Sequence, residues 1–319
     1  MNQTVKEIGK KIVALLPTKM WLSYRFKKKM GYPMDWKNPK TFNEQLQWLK
    51  VYDRNPLYTT MVDKYEVKKY VADKIGEEYI IPTLGVWNSF DEIDFDALPD
   101  QFVLKCTHDS GGLAIVRDKA KFDKEKARKQ FKLALSRNPY SVTREWPYKN
   151  VKPRIIAEEY IKCENLVDRE RGIEEKKEAI TCNELQEKHG LLDYKFLCFD
   201  GKVRLLFLDI GVIGSGEAHA EVYYRNVYDQ NGEMMPFKET REHYPVSVIL
   251  PENLQEMIRV AEILSKGIPC LRVDLYRLSS GEIKVGELTF FHGSGMSNYF
   301  SPESWNETLG SWIQLPKKR

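Results

Sequence analysis

Two acidic residues late in the chain are spaced for metal chemistry. Arg272-Val-Asp274-Leu-Tyr276 and Gly286-Glu287-Leu-Thr289 flank Ser280-Gly281, and this pattern predicts a strand, a tight turn and a strand. With Ser280 and Gly281 as a two-residue loop, Ser279 pairs with Glu282, Asp274 stands opposite Glu287, and Arg272 stands opposite Thr289. Alternate side chains share a face, so these four residues form one patch whose two carboxylates, about 5 Å apart, repel unless a cation lies between them. Mg²⁺, which seeks oxygen ligands and commonly carries phosphates, meets that need. Otherwise Arg272 itself neutralises both acids on a solvated face, and a three-residue bulged turn would break the pairing.

Other polar features suit a phosphate-bearing ligand. Asp109-Ser110-Gly111-Gly112 lies between predicted strands Phe102–Cys106 and Leu113–Val116, where its backbone N–H groups could face phosphate oxygens; glycine is equally the default turn residue. Lys105 follows Phe102, Val103 and Leu104, and a lysine in such a strand either finds an anionic partner or snorkels to water. Asp200-Gly201 predicts a hairpin that puts Asp193, Lys195, Leu197 and Phe199 on one face, leaving Lys195 a charge among apolar neighbours. Gly211, Gly214 and Gly216 do not have dinucleotide-fingerprint spacing, and no G-x-x-x-x-G-K-[ST] loop occurs, which argues against Rossmann and P-loop readings.

The elements that must hold these residues are legible in outline. Thr41 and Glu44 form a capping box ahead of a helix with Phe42, Leu46 and Leu49 inward. A second box at Asp63, with Glu66, opens a helix whose apolar face is Val67, Val71 and Ile75, stopped by Gly76. Residues 79–87 read as a short strand with an edge proline. Asp123 starts a helix with Ala127, Phe131 and Leu135 on one face, ended by Asn138-Pro139. Arg154 to Ile161 is a predicted strand, followed by a weakly periodic charged run from Asn165 to Gly190 that reads as the hinge. A long connection from Gly211 to Leu250 precedes a helix from about 251 to 266 with Leu254, Ile258, Ala261 and Leu264 inward.

At 319 residues, 42% hydrophobic and 30% charged, the chain is expected to be globular with two or three subdomains. No apolar run approaches the roughly 20 residues of a spanning helix, and Ile12 to Leu16, followed by Pro17 and Lys19, is too short for a signal-peptide core, so cytoplasmic residence is expected. Five widely spaced cysteines without C-x-x-C suggest reduced thiols rather than disulfides or zinc. Residues 1–30 carry eight basic residues against Glu7 alone, net +7 in a chain of net +4, so the remainder is −3. With Trp21, Tyr24 and Phe26, that segment either meets an anionic membrane surface or lipid-linked substrate, or is a solvated helix packed on the body. Nucleic acid is not expected, since no recognised binding motif accompanies the charge.

In order and spacing, Asp63-Lys64, Ile81-Pro82, Lys105 with its glycine loop, Ile156-Ala-Glu158-Glu159-Tyr160-Ile161, and Arg272-x-Asp274 to Glu287-x-Thr289-x-x-His-Gly-Ser-Gly295 resemble the ATP-grasp superfamily. Lys40 to Leu49, Asp63-Lys64-Tyr, Asp193-Tyr-Lys-Phe and Gly286-Glu-Leu-Thr289 look like its teichuronopeptide-biosynthesis (TupA-like) branch, associated with surface-polysaccharide genes. The resemblance implies an α+β ATP-grasp fold in which two α+β subdomains clasp ATP: a helical basic extension at 1–62, a small lid subdomain at 63–157, and a large subdomain with the metal site at 158–319. It implies adenine held by backbone groups of Glu158, Glu159, Tyr160 and Ile161, phosphates bound by Lys64, Lys105 and the loop Asp109, Ser110, Gly111 and Gly112, and ribose at Asp193. Lys195 would be a further phosphate contact, and Arg272 would meet the transferring phosphate. Asp274 and Glu287 would hold Mg²⁺, with Thr289 where the superfamily usually has asparagine. The implied activity is ATP-dependent carboxylate–amine ligation through an acyl phosphate. A uronic acid or lipid-linked saccharide would be the carboxylate, with an amino acid or amino sugar as the amine. The His292-Gly-Ser-Gly295 turn would sit where the acceptor reaches the phosphate.

Two other classes stay open at this point. Asp94-Phe95-Asp96 has the acid-x-acid spacing of a metal-dependent glycosyltransferase, although it lies in what reads as a polar connection. A non-catalytic module docking through the basic N-terminus is the third reading.

Overall fold

The computed structural model of the chain describes residues 16–109, 111–161, 178–212, 223–296 and 300–317. Strands β1 (Thr83–Trp87), β2 (Phe102–Cys106), β3 (Leu113–Val116) and β4 (Ile155–Glu159) form an antiparallel sheet of order β1-β4-β2-β3. Pro82 precedes β1, which occupies the edge where a missing N–H costs no ladder bond. Phe90, Phe102, Leu104, Phe131, Ile155 and Ala157 are buried in one cluster beneath this sheet.

After β5 (Ala179–Thr181), strands β6 (Asp193–Phe199), β7 (Lys202–Ile210) and β8 (Tyr224–Tyr228) begin the main sheet. Following β9 (Lys238–Glu239) and β10 (Ser247–Ile249), strands β11 (Leu271–Arg277) and β12 (Ile283–Thr289) complete it in the order β12-β11-β6-β7-β8, and β13 (Phe300–Ser301) pairs with β9. The helix Leu254–Ser265 packs on β6, β7 and β11, with Leu254, Ile258, Ala261 and Leu264 buried as predicted. Leu271, Val273 and Leu275 of β11 are buried, and the alternation of the strand gives Arg272, Asp274 and Tyr276 to the opposite face. Asp200 and Gly201 turn β6 into β7 at φ +47° and +76°, the two left-handed positions of a type I′ hairpin.

The β11–β12 register is the predicted one, reached by another route. Leu278 N–H donates to Glu282 O and Gly281 N–H to Leu278 O, so the loop is Ser279-Ser280-Gly281 with Gly281 at φ +92°. Arg277 therefore pairs with Ile283, one residue off the two-residue expectation. A bulge at Gly286 restores the offset: Leu275 opposes Val285, yet Asp274 opposes Glu287 and Arg272 opposes Thr289. Only glycine fits there, since a Cβ would lie 2.8 Å from the Tyr276 ring.

The capping box of Thr41 and Glu44 forms as predicted, but the helix it opens, Phe42–Tyr52, is buried nearly all round rather than amphipathic. Its polar residues are paired: Gln45 Nε2 donates to Gly310 O at 2.8 Å and Gln47 Nε2 to Ser294 O at 3.1 Å. Asp63 accepts from Tyr65 and Glu66 N–H at 2.9 and 3.3 Å, but Glu66 does not reach back as a box partner. It binds Arg154 at 2.8 Å, as does Asp63. The expected hinge run contains β5 and a capped helix, Cys182–His189, and residues 165–177 of it fall outside the described residues. The connection 211–250 holds β8, β9 and β10. Among the described residues no helix is long and apolar enough to cross a membrane.

Candidate functional site

The patch predicted from the hairpin is assembled on the main sheet. Arg272 Nε and Nη2 donate to Asp274 Oδ1 and Oδ2, each at 2.7 Å, and Nη2 also reaches Glu287 Oε1 at 3.0 Å and Thr289 Oγ1 at 3.2 Å. The guanidinium is thus the cation between the acids. The face is not the solvated one of the alternative reading, because Asp274 is only 2% exposed. β6 lies beside β11 with Lys195 opposite Asp274, and Lys195 Nζ is 3.1 Å from Asp274 Oδ2 and hydrogen-bonded to Asp193. The expected apolar surroundings of Lys195 are replaced by acids from the neighbouring strands. Against the cost of burial, Asp193 and Asp274 hold the Lys195 ammonium above its ordinary pKa. Burial likewise opposes ionisation of Asp274, but Arg272 and Lys195 outweigh it and hold the carboxyl down at about 2.

The stripe continues where sequence reasoning did not follow. Asp209 opposes Asp193, and Arg225 on β8 opposes Asp209. Arg225 clasps Asp209 with Nε and Nη2 at 2.5 and 2.6 Å and holds Glu239 with Nη1. Glu239 Oε1 faces His292 Nε2 at 3.3 Å, and His292 Nδ1 lies 3.1 Å from Arg272 Nη1. The alternation of tyrosines 224 and 228 with Arg225 and Val227 was the available signal for β8, masked by the irregular sequence around it. Counted together, Asp193, Asp209, Glu239, Asp274 and Glu287 face Lys195, Arg225 and Arg272, an excess of two negative charges.

On the smaller sheet the excess is positive. The anionic partner that Lys105 required is Glu158, whose Oε2 is 2.6 Å from Lys105 Nζ while Oε1 is 2.6 Å from Lys68 Nζ. Burial would raise the Glu158 carboxyl, but Lys105 and Lys68 hold it below the usual range. Lys68, in the helix Glu66–Ile75, was missed. Lys64 Nζ donates to Asp109 O at 2.7 Å, joining the helix to the glycine loop. That loop's N–H groups are not free as expected: Gly111 and Gly112 donate to Asp109 Oδ1 at 3.2 and 3.0 Å, so a carboxylate already fills the anion's place. Ser110 lies outside the described residues. Glu159 is exposed and Tyr160 and Ile161 half-buried where β4 ends, and Glu159 N–H is bonded to Pro82 O at 3.1 Å.

Tyr276 follows Asp274 on the same face of β11. Its ring lies over Gly286, and burial, then Asp193, Glu287, Asp274 and Glu158, push its hydroxyl pKa well up, so one side chain feels acids from both sheets. The chain belongs to the TupA-like ATP-grasp family. The model for "TupA-like ATPgrasp" matches residues 44–171 and 167–314, which takes in both clusters. Solved structures with a similar arrangement include the D-cycloserine synthetase DcsG, at 18% identity and TM-score 0.39 over 74% of this chain and 64% of that one. An L-amino acid ligase from Bacillus licheniformis is similar at 15% identity and TM-score 0.44, over 76% and 47%. The biotin carboxylase domain of the Hydrogenobacter thermophilus 2-oxoglutarate carboxylase, solved with MgADP and bicarbonate, gives 13% and 0.42, over 82% and 47%. The chain spans about half to two thirds of the length of these structures. No curated protein matches the sequence.

The far end of the patch is closed by the turn His292–Gly295, in which Gly293, Ser294 and Gly295 all take φ near +56°. Ser294 holds this left-handed position, costly for a residue with a Cβ, because it is pinned. Buried Lys50 donates to Ser294 O at 2.8 Å, Ser294 Oγ at 3.0 Å and Thr143 O at 3.1 Å, and Ser294 Oγ donates to Glu145 Oε1 at 2.6 Å. Burial pushes the Lys50 ammonium down to about 8. Asp94 and Asp96, the glycosyltransferase candidates, are exposed on a polar loop and bond each other locally, Asp96 N–H to Asp94 Oδ1 at 3.0 Å.

The donor set of the patch fits Mg²⁺: Asp274 and Glu287 carboxylates with the Thr289 hydroxyl are hard oxygen ligands on one face, now bridged by a single guanidinium. Among the described residues no group of three or more His, Cys, Asp or Glu side chains is arranged to hold a metal.

Proposed function

We propose that the chain is an ATP-dependent carboxylate–amine ligase that joins a carboxylate of a surface-polysaccharide precursor to an amino acid or amino sugar, releasing ADP and phosphate. The observation that carries this reading is the presence of opposite charge excesses: two surplus negative charges around Asp274 and Glu287, and a surplus ammonium around Glu158. A magnesium-bound triphosphate carries the complementary charges. In this reading residues 63–157 act as the lid, and residues 158–319 carry the metal site.

The residues have separable roles. Lys64, Lys105 and Lys195 hold phosphate oxygens, the end of β4 from Glu158 to Ile161 borders the base, and Asp193 lies toward the ribose. Arg272 neutralises charge that develops on the transferring phosphoryl group, and it is fixed in place before reaction rather than recruited during it. Asp274, Glu287 and Thr289 would hold Mg²⁺, which orients and polarises the phosphates. A carboxylate oxygen takes the γ-phosphoryl group, and the amine then attacks the acyl carbon as the phosphate oxygen leaves. Water must be kept out meanwhile, since it would hydrolyse the acyl phosphate. The turn Gly293–Gly295 borders the place for the acceptor.

Cytoplasmic placement with peripheral membrane contact belongs to the same proposal. The helix Thr18–Met30 contains five basic residues and no acidic one. Leu22 and Phe26 anchor it in the core, while Met20 and Tyr24 are 52% and 58% exposed. Basic residues around exposed apolar side chains suit an anionic lipid surface. Replacing Met20 and Tyr24 by Glu should abolish co-sedimentation with phosphatidylglycerol vesicles; unchanged partition would remove the membrane part.

Screening uronic acids and amino acids in pairs for ADP release, with mass spectrometry of the products, tests the ligase reading. An amide with stoichiometric ADP is expected. Stabilisation by UDP-sugars with no effect of MgATP would instead favour a glycosyltransferase.

A further inference from the structure

Arg272 makes five hydrogen bonds, and four of them go to Asp274, Glu287 and Thr289. In the proposed function these same oxygens serve Mg²⁺, so the bonds that orient the guanidinium are the ones the nucleotide complex would compete for. The fifth partner, His292 Nδ1 at 3.1 Å from Nη1, has no such second duty.

The protonation of His292 follows from its neighbours. A guanidinium only donates, so Nδ1 must present its lone pair, and the ring proton must be on Nε2, facing Glu239 Oε1 at 3.3 Å. Glu239 is fixed in turn by Arg225, which Asp209 clasps. The imidazole is 4% exposed and stacked on Phe207 with centroids 5.3 Å apart and planes at 21°. Burial lowers its pKa, and Arg272 and Arg225 add to this against the pull of Glu239. A neutral ring of one tautomer is therefore held rigidly at the back of Arg272.

We propose that His292 is the positioning residue for Arg272, a neutral imidazole with its proton fixed on Nε2 that keeps hold of Nη1 when MgATP engages Asp274, Glu287 and Thr289. The proposal rests on the phosphate role given to Arg272 above. It explains why a buried chain of Asp209, Arg225 and Glu239 ends at this histidine: a carboxylate in its place would be one more charge for the metal to draw away, whereas a ring nitrogen backed by Glu239 is not.

Calorimetric titration of the full chain with MgAMP-PNP and with MgADP tests it, because only the first carries the γ-phosphate that Arg272 is assigned. His292→Ala should raise the Kd for MgAMP-PNP about tenfold, the worth of one hydrogen bond to a charged group, with the Kd for MgADP within about twofold. His292→Asn, whose side-chain oxygen can lie where Nδ1 does, should recover most of the difference, and Gln, whose amide lies nearer Nε2, should not. If the alanine variant fails to fold by thermal melt, the Asn against Gln contrast decides alone. Equal weakening of both nucleotides, no change in either, or Asn no better than Gln overturns the proposal. If Arg272→Ala lowers MgAMP-PNP affinity selectively while the His292 variants do not, only this inference falls; if Arg272→Ala leaves the ratio unchanged, or the wild type binds neither nucleotide, the parent reading falls with it.

Discussion

The two sheets solve opposite electrostatic problems. In the network centred on the main sheet five acids meet three cations, and beside the smaller sheet Lys105 and Lys68 share Glu158. The main-sheet network is buried, made of adjacent strands and closed by bidentate arginine pairs, where one-sided removal is costly. The smaller one is a three-member cluster in which Lys105 and Lys68 each hold one oxygen of Glu158, so removing either lysine leaves the acid paired.

The sharpest break of this contrast is at Glu287 and Asp274, the proposed metal ligands. Glu287→Gln should lower Mg²⁺-dependent ATP turnover by about 10²-fold or more with an unchanged circular dichroism spectrum, because its side chain is 40% exposed and Arg272 keeps both bonds to Asp274. Retained turnover would remove the metal assignment. Asp274→Asn should lose turnover equally and also stability, since Arg272 loses its bidentate ion pair and Lys195 one of its acids.

Next in size is the network behind the site. Arg225→Met should cost about 3–5 kcal/mol in urea unfolding, because Asp209 and Glu239 lose the buried guanidinium they share. Lys105→Ala should cost stability far less, since Lys68 still holds Glu158, but should weaken nucleotide binding by about tenfold, one charge-assisted contact. Equal stability losses in the two variants would erase the distinction between the sheets.

The pH dependence sharpens it further. The folded Asp274 carboxyl sits at about 2 against 3.8 for an ordinary aspartate. Its contribution is therefore full above about pH 4 and lost as pH falls toward 2. Wild-type stability in urea should drop through that window more steeply than that of Asp274→Asn. The smallest effect is local: Thr41→Ala removes a helix cap and should cost about 1 kcal/mol with nucleotide affinity unchanged.

The hairpin patch was legible because strand alternation and pairing follow from local sequence, and the pairing survived although the loop has three residues, because the bulge at Gly286 restores the offset. Lys105 and Lys195 were likewise recognisable as charges needing partners. Their partners were not, because Glu158 is 53 positions from Lys105 and Asp274 is 79 positions from Lys195, and only sheet order brings them together. Arg225 and Glu239, the partners of Asp209, were hidden in a stretch whose strands are short. The glycine loop was read as open, yet its N–H groups are filled by Asp109, a competition between side chain and ligand that sequence does not rank.

The sequence by itself determined the periodic elements, their caps, the ATP-grasp resemblance and which side chains share a strand face, since these depend on neighbours within a few residues. Tertiary structure alone decided the sign of each charge cluster, the burial of the helix Phe42–Tyr52 and the partner of Arg272 at His292. Those depend on which distant segments are forced together when apolar faces are buried, and a buried charge takes its meaning from whatever stands opposite it.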